Sequence, residues 1–125
     1  MTHSYHITSR AAVDAARQSG EYRAESLTGQ GFIHFSQIFQ ILGVTNAFYV
    51  GQTDLVILAV DVSRLKAELK FEDPSHPGPA GSAPLPDANS LFPHLYGALN
   101  LDAIDKVVDF PAGVDGSFEL PAALV

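Results

Sequence analysis

From Ser4 to Thr8 the chain sets Tyr5 and Ile7 against Ser4, His6 and Thr8, the period-two alternation of a half-buried strand. Ser9 then stands where a helix needs an oxygen for its first free N–H groups. Ala12, Ala15 and Ala16 recur at helical spacing and Gly20 supplies the stop, so a strand followed by a helix is expected over residues 4–19. A polar stretch with Arg23, Glu25 and Ser26 leads through Gly29 and Gly31 to Phe32-Ile-His-Phe35, a second short strand ending at Ser36. Ser36 reads as another N-cap, with Ile38, Phe39, Ile41 and Leu42 as the apolar face of its helix. Gly43 is expected to end that helix and Thr45 to cap a further turn through Tyr49. Leu55 to Val60 is uninterruptedly apolar between Asp54 and Asp61, as in a strand covered on both faces, and is expected at the centre of the sheet.

Ser63 to Glu68 reads as a short helical turn, and alternation returns from Leu69 to Glu72. Residues 73–90 carry five prolines (74, 77, 79, 84 and 86) and two glycines, which excludes helix and central strand there. Runs of that kind serve as lids, binding loops or disordered surface. Phe92 to Tyr96 resumes as a strand, placed near an edge because Pro93 cannot donate to a ladder. Ala103 to Phe110 and Ser117 to Leu120 complete the set, with Gly113-Val-Asp-Gly116 turning between them. Short strands mixed with two or three short helices, without repeats or a compositional break, give one α+β domain over residues 1–125 with a largely antiparallel sheet.

The length of 125 residues allows burial of roughly two-thirds of the unfolded surface, so a core forms without metal or disulfide staples. The absence of cysteine excludes disulfides, thiolate metal sites and cysteine nucleophiles. No apolar run approaches the roughly 20 residues of a membrane span, and the N-terminus lacks a basic or apolar export signal. A cytoplasmic protein without a membrane partner is therefore expected. Fourteen acidic residues against 7 basic ones give a formal charge of −7, and no basic stripe is present to neutralise a run of phosphates. Long nucleic acids are not expected partners. A small phosphorylated ligand is compatible with this surface, since backbone N–H groups or a pair of arginines suffice to hold it.

One pattern recurs. His6-Ile7-Thr8, His34-Phe35-Ser36 and His94-Leu95-Tyr96 each place a histidine two residues before a hydroxyl, on one face of an expected strand. If these strands are neighbours, three imidazoles and three hydroxyls converge on one polar cleft suited to sugar or phosphate oxygens. Singly, a strand histidine is more often a hydrogen-bonded structural residue, and Ser36 is explained as a cap. His3 and His76 carry no assignment. Three histidines also raise a metal-dependent hydrolase, although no H-E-x-x-H or local i, i+4 pair occurs. Neither a G-x-S-x-G elbow, a P-loop nor a G-x-G-x-x-G turn is present. Glu72, at a strand end beside the proline-rich run, is a candidate acid, base or ribose contact.

Tyr5-His-Ile-Thr8, Gly20-Glu-Tyr22, Ser26-Leu27, Gly31-Phe-Ile-His-Phe-Ser36, Asp54-Leu-Val-Ile-Leu58 and Leu91-Phe-Pro-His-Leu-Tyr-Gly97 through Ala103 together resemble the DUF952 family of small bacterial proteins, which has no established activity. The resemblance implies an ADP-ribosyltransferase-like fold, a split antiparallel β-structure that binds NAD between two short sheets. Within it, Tyr5-His6-x-Thr8 is similar to the first-strand histidine motif of NAD-binding transferases, and Ile33-His34-Phe35-Ser36 to the His-x-Ser strand of RNA 2′-phosphotransferases. It implies His6 and His34 as catalytic residues, with Glu72 standing in for a glutamate whose usual late strand here offers His94 and Tyr96. Thr8, Ser26, Ser36, His94 and Tyr96 would then line the ligand site. The implied function is an NAD- or ADP-ribose-related transferase or hydrolase acting on a small molecule, with NAD as substrate, no metal, and a small nucleotide-like partner. A non-catalytic nucleotide- or protein-binding module and a histidine-ligated metal hydrolase are the alternatives.

Overall fold

A computed structural model describes residues 3–72, 91–113 and 116–124. Along the chain come β1 (His3–Ser9), α1 (Arg10–Ser19), β2 (Glu21–Tyr22), α2 (Glu25–Gln30), β3 (Ile33–His34), α3 (Ile41–Phe48), β4 (Leu55–Asp61), β5 (Glu68–Glu72), β6 (Phe92–Tyr96), β7 (Leu99–Asn100) and β8 (Ile104–Asp109). The proline-rich run 73–90, with the question of a lid, lies outside the described residues, as do two residues of the turn expected at 113–116. No helix among those described is long and apolar enough to cross a membrane.

The strands form two three-stranded antiparallel sheets, β1-β4-β8 and β3-β6-β5, and a small β2-β7 pair. β4 is the centre of the first sheet and every one of its residues is buried, as its uninterrupted apolar run requires. Its two faces serve different cores. Val56, Leu58 and Val60 pack with Val13 and Ala16 of α1, Tyr22, and Ile33, Phe35 and Leu95 of the second sheet. Leu55 and Ile57 pack with Ile41 and Val44 of α3, Phe92, Phe110 and Phe118.

The first helix forms as its sequence dictates: the Ser9 hydroxyl accepts from the Ala12 N–H at 3.1 Å, and Gly20 closes the helix in the left-handed conformation. Several other expectations are corrected. Ser36 caps nothing; its backbone pairs with that of Tyr5 (Tyr5 N–H to Ser36 O, 2.9 Å; Ser36 N–H to Tyr5 O, 2.7 Å), which joins the two sheets. The cap is Gln37, whose N–H donates to the Gln40 side chain ahead of a 3₁₀ turn at Ile38–Gln40. Gly43 does not end the helix, because α3 buries Ile41, Val44 and Thr45, and that burial outweighs the roughly 1 kcal/mol cost of an interior glycine. Thr45 lies within α3 and donates its hydroxyl to the Ile41 carbonyl at 2.7 Å. The turn expected at Ser63 to Glu68 is a single 3₁₀ turn at Val62–Arg64, capped by Asp61. Ser117 to Leu120 forms no strand and is held through Phe118. The polar stretch with Glu25 and Ser26, to which the sequence assigns no element, forms the start of the short helix α2.

Pro93 also departs from expectation, since β6 is the central strand of its sheet. Ile33 faces Leu95 and His34 faces His94, so the next partners in register are Phe35 and Pro93. Phe35 N–H donates to the Pro93 carbonyl at 2.9 Å, but the reciprocal bond cannot form because proline has no N–H. The ladder stops there, and the following residue, Ser36, is released to pair with β1. The proline is tolerated because its missing donor faces a strand that is leaving.

Candidate functional site

His34 of β3 and His94 of β6 are directly opposite in an antiparallel pair, so their side chains share a face. Phe32 lies over both: its ring stacks on that of His94 (centroids 4.2 Å apart, 18° between planes) and meets His34 edge-on at 4.9 Å. The two imidazoles are 5.5 Å apart and nearly perpendicular, and Tyr96 is 5.3 Å from Phe32. The neighbouring strand β5 adds Glu72, whose Oε1 accepts from the Tyr96 hydroxyl at 2.6 Å and from His94 Nδ1 at 2.9 Å. Lys70 stands over the Tyr96 ring at 4.9 Å. One sheet face thus collects two imidazoles, a phenol, a carboxylate and an ammonium group around a phenylalanine.

The bonds from Tyr96 and His94 hold the Glu72 carboxyl below its ordinary range, and the same Glu72 charge and hydrogen bond push the Tyr96 phenol up. Glu72 is therefore a carboxylate at neutral pH and can only accept, so the hydrogen between it and His94 sits on Nδ1. His94 itself is 2% exposed, and its Nε2 is buried with no hydrogen-bond partner among the described residues. His34 is fixed differently: its Nε2 donates to Gln30 Oε1, at the end of α2, at 2.7 Å.

His6 belongs to the other side of β3. Its cross-strand partner is Leu58, its ring is 5.4 Å from Phe35, and it is only 7% exposed. Its Nδ1 lies 2.6 Å from the His34 carbonyl oxygen and its Nε2 2.8 Å from the Tyr22 hydroxyl. Burial lowers its pKa to about 4, opposed by the bond to His34, so the ring is neutral at pH 7. A carbonyl only accepts; Nδ1 therefore carries the hydrogen and Nε2 accepts from Tyr22. The Thr8 hydroxyl, 2.8 Å from the same phenol oxygen, completes the chain, and burial raises the Tyr22 pKa.

The three-histidine cleft expected from the sequence is therefore divided. His34, His94, Tyr96 and Glu72 come together; His6 and Thr8 form a separate buried group, joined to the first through the His34 carbonyl. His6, expected as a catalytic residue, has both nitrogens hydrogen-bonded within the protein, one of them to the backbone of β3. Ser36 is 4% exposed and serves the junction between the sheets, while Ser26 sits in α2 with its carbonyl accepting from Gly31. Tyr22 and Phe32 belong to no chemical motif of the sequence, although each lies in a segment that carries the family resemblance. Only their contacts distinguish them from ordinary core aromatics. Among the described residues no group of three histidines or carboxylates is placed to hold a metal ion.

A family model described as "Protein of unknown function (DUF952)" matches residues 7–107. The crystal structure of protein CC0527 from Caulobacter crescentus is 32% identical, with 95% of each chain covered and a TM-score of 0.77. A solution NMR structure of the same protein gives 32% identity and a TM-score of 0.72 over 94% of this chain and 91% of that one. No curated protein matches the chain.

Proposed function

The chain belongs to the DUF952 family, and with that as the premise we propose that it binds a nucleotide of the NAD or ADP-ribose class and transfers or hydrolyses its ribosyl bond. The ligand sits on the β3-β6-β5 face. The observation that carries this reading is the pairing of His34 with His94 beneath Phe32, with Tyr96 and Glu72 within reach. Aromatic rings offer a planar base a surface to stack on, and the imidazoles, phenol and carboxylate supply donors and acceptors for ribose hydroxyls. The split into two three-stranded sheets is in keeping with the ADP-ribosyltransferase-like arrangement that the resemblance implies.

Thermal unfolding in the presence of NAD, ADP-ribose and nucleoside monophosphates tests the reading. A ligand at about 100 times its Kd stabilises the native state by about 2.7 kcal/mol, so a concentration-dependent rise in midpoint is expected. No rise with any of them overturns it. A second reading, a binding module without turnover, is favoured by one observation: the first-strand motif histidine, His6, is sealed and spent on Tyr22 and His34. Stabilisation by NAD without release of nicotinamide would select that reading.

A further inference from the structure

His94 Nε2 is a buried lone pair for which the fold provides no donor among the described residues. Leaving a polar atom in that state costs stability, and a catalytic role is one of the reasons a native protein retains one. We infer that His94 is the general base of the β3-β6-β5 face, with Nε2 taking the proton of an attacking water or alcohol, and that Glu72 is the positioning residue that sets its tautomer. The inference rests on the ligand reading above and adds the proton's destination.

Three features support it. The Glu72 carboxylate accepts from Nδ1 at 2.9 Å, which turns the Nε2 lone pair outward from that bond and stabilises the imidazolium that forms when Nε2 is protonated. Tyr96, donating to the same oxygen at 2.6 Å, holds the carboxylate in place. Phe32, stacked on one side of the ring, fixes its plane. Among His6, His34 and His94, the hydrogen bond of Glu72 goes to His94; His6 has both nitrogens committed, and His34 Nε2 donates to Gln30. Nε2 is closed to solvent, so a reacting group reaches it only by replacing what covers the ring, and a proton taken there is shielded from bulk water.

With NAD and water the step balances as follows. The water O–H bond breaks, its proton going to Nε2, and the oxygen bonds to the ribosyl anomeric carbon. The bond from that carbon to the pyridinium nitrogen breaks, its electron pair leaving with neutral nicotinamide. His94 returns its proton to solvent. No oxidant or reductant enters.

The test joins two readouts on the full chain. Long-range proton–nitrogen NMR at neutral pH is expected to show His94 with hydrogen on Nδ1 and a bare Nε2, and a mixture of tautomers in Glu72→Ala. Nicotinamide release from NAD is expected to fall on the order of 100-fold in kcat in His94→Gln, with the dissociation constant for NAD held within about threefold. A hydrogen on Nε2 in the wild type, or equal turnover in His94→Gln, overturns the inference and leaves the ligand reading standing. Binding of NAD without turnover by the wild type removes the general base and leaves the binding module. Absence of NAD binding overturns the ligand reading and the inference together. Should His94→Gln not fold, the tautomer in the wild type and in Glu72→Ala decides.

Discussion

Burying an imidazole between a carbonyl and a phenol makes its protonation state part of the fold. His6 is held neutral, its pKa lowered from 6.5 to about 4, mainly because burial penalises the charged ring. Since the unfolded chain binds the proton more readily, this group contributes its stability above pH 6.5 and loses it as the pH falls towards 4. The full difference is worth about 3 kcal/mol. Urea unfolding of the wild type between pH 7 and 4.5 is expected to show a loss approaching that size, and the same series with His6→Gln a much flatter one; parallel series would contradict the assignment. Asp61, whose carboxyl is held low chiefly by its hydrogen bond from Ser63, loses its contribution only below its ordinary range, outside this window. At this scale the sequence identified the residues but not their grouping. Spacing of two places His6 with Thr8, and His94 with Tyr96, within a strand. Which face of one strand meets which face of the next depends on how the two sheets are joined, and that junction at Tyr5 and Ser36 has no local signature.

Elements show the same division between local and non-local causes. The strand-helix unit of β1 and α1 was legible because Ser9 and Gly20 act on their immediate neighbours. Gly43, Thr45 and Pro93 misled because packing outweighed propensity in α3, and because the donor that proline lacks faces a ladder that ends there. A steric prediction belongs here. Gly97 follows β6, and a Cβ added to it would lie 2.7 Å from the Cβ of Ala67, ahead of β5. Contacts that short force the backbone apart, so Gly97→Ala is expected to cost about 2 kcal/mol. A lowered urea midpoint with an unchanged slope would show it. An unchanged midpoint would mean that the two segments separate freely.

For the whole molecule the decisive feature is that one strand serves two cores. Leu58 and Ile57 are neighbours on β4, both fully buried, yet each packs into a different cluster. Neither core can lose its packing without exposing the strand that backs the other, so the domain is expected to unfold in one transition. Leu58→Ala and Ile57→Ala should each cost about 3 kcal/mol, with far-ultraviolet dichroism and tyrosine fluorescence giving coincident curves in both variants. Separation of the two probes would show that the cores melt independently. The central place of β4 was legible from hydrophobic period, since a run without polar breaks has to be covered on both faces, and the α+β class with antiparallel pairing from the mix of short strands and short helices. The division into two sheets was not legible from that period, because a proline that ends one ladder and a serine that begins another leave it unchanged.

On the proposed function, the face carrying His34, His94, Tyr96 and Glu72 is where this protein meets its ligand. Amide chemical shifts recorded while NAD is titrated into the full chain test it most directly. Saturable shifts are expected at residues 32–36, 92 and 94–96. Shifts that saturate elsewhere, or none at all, would contradict it.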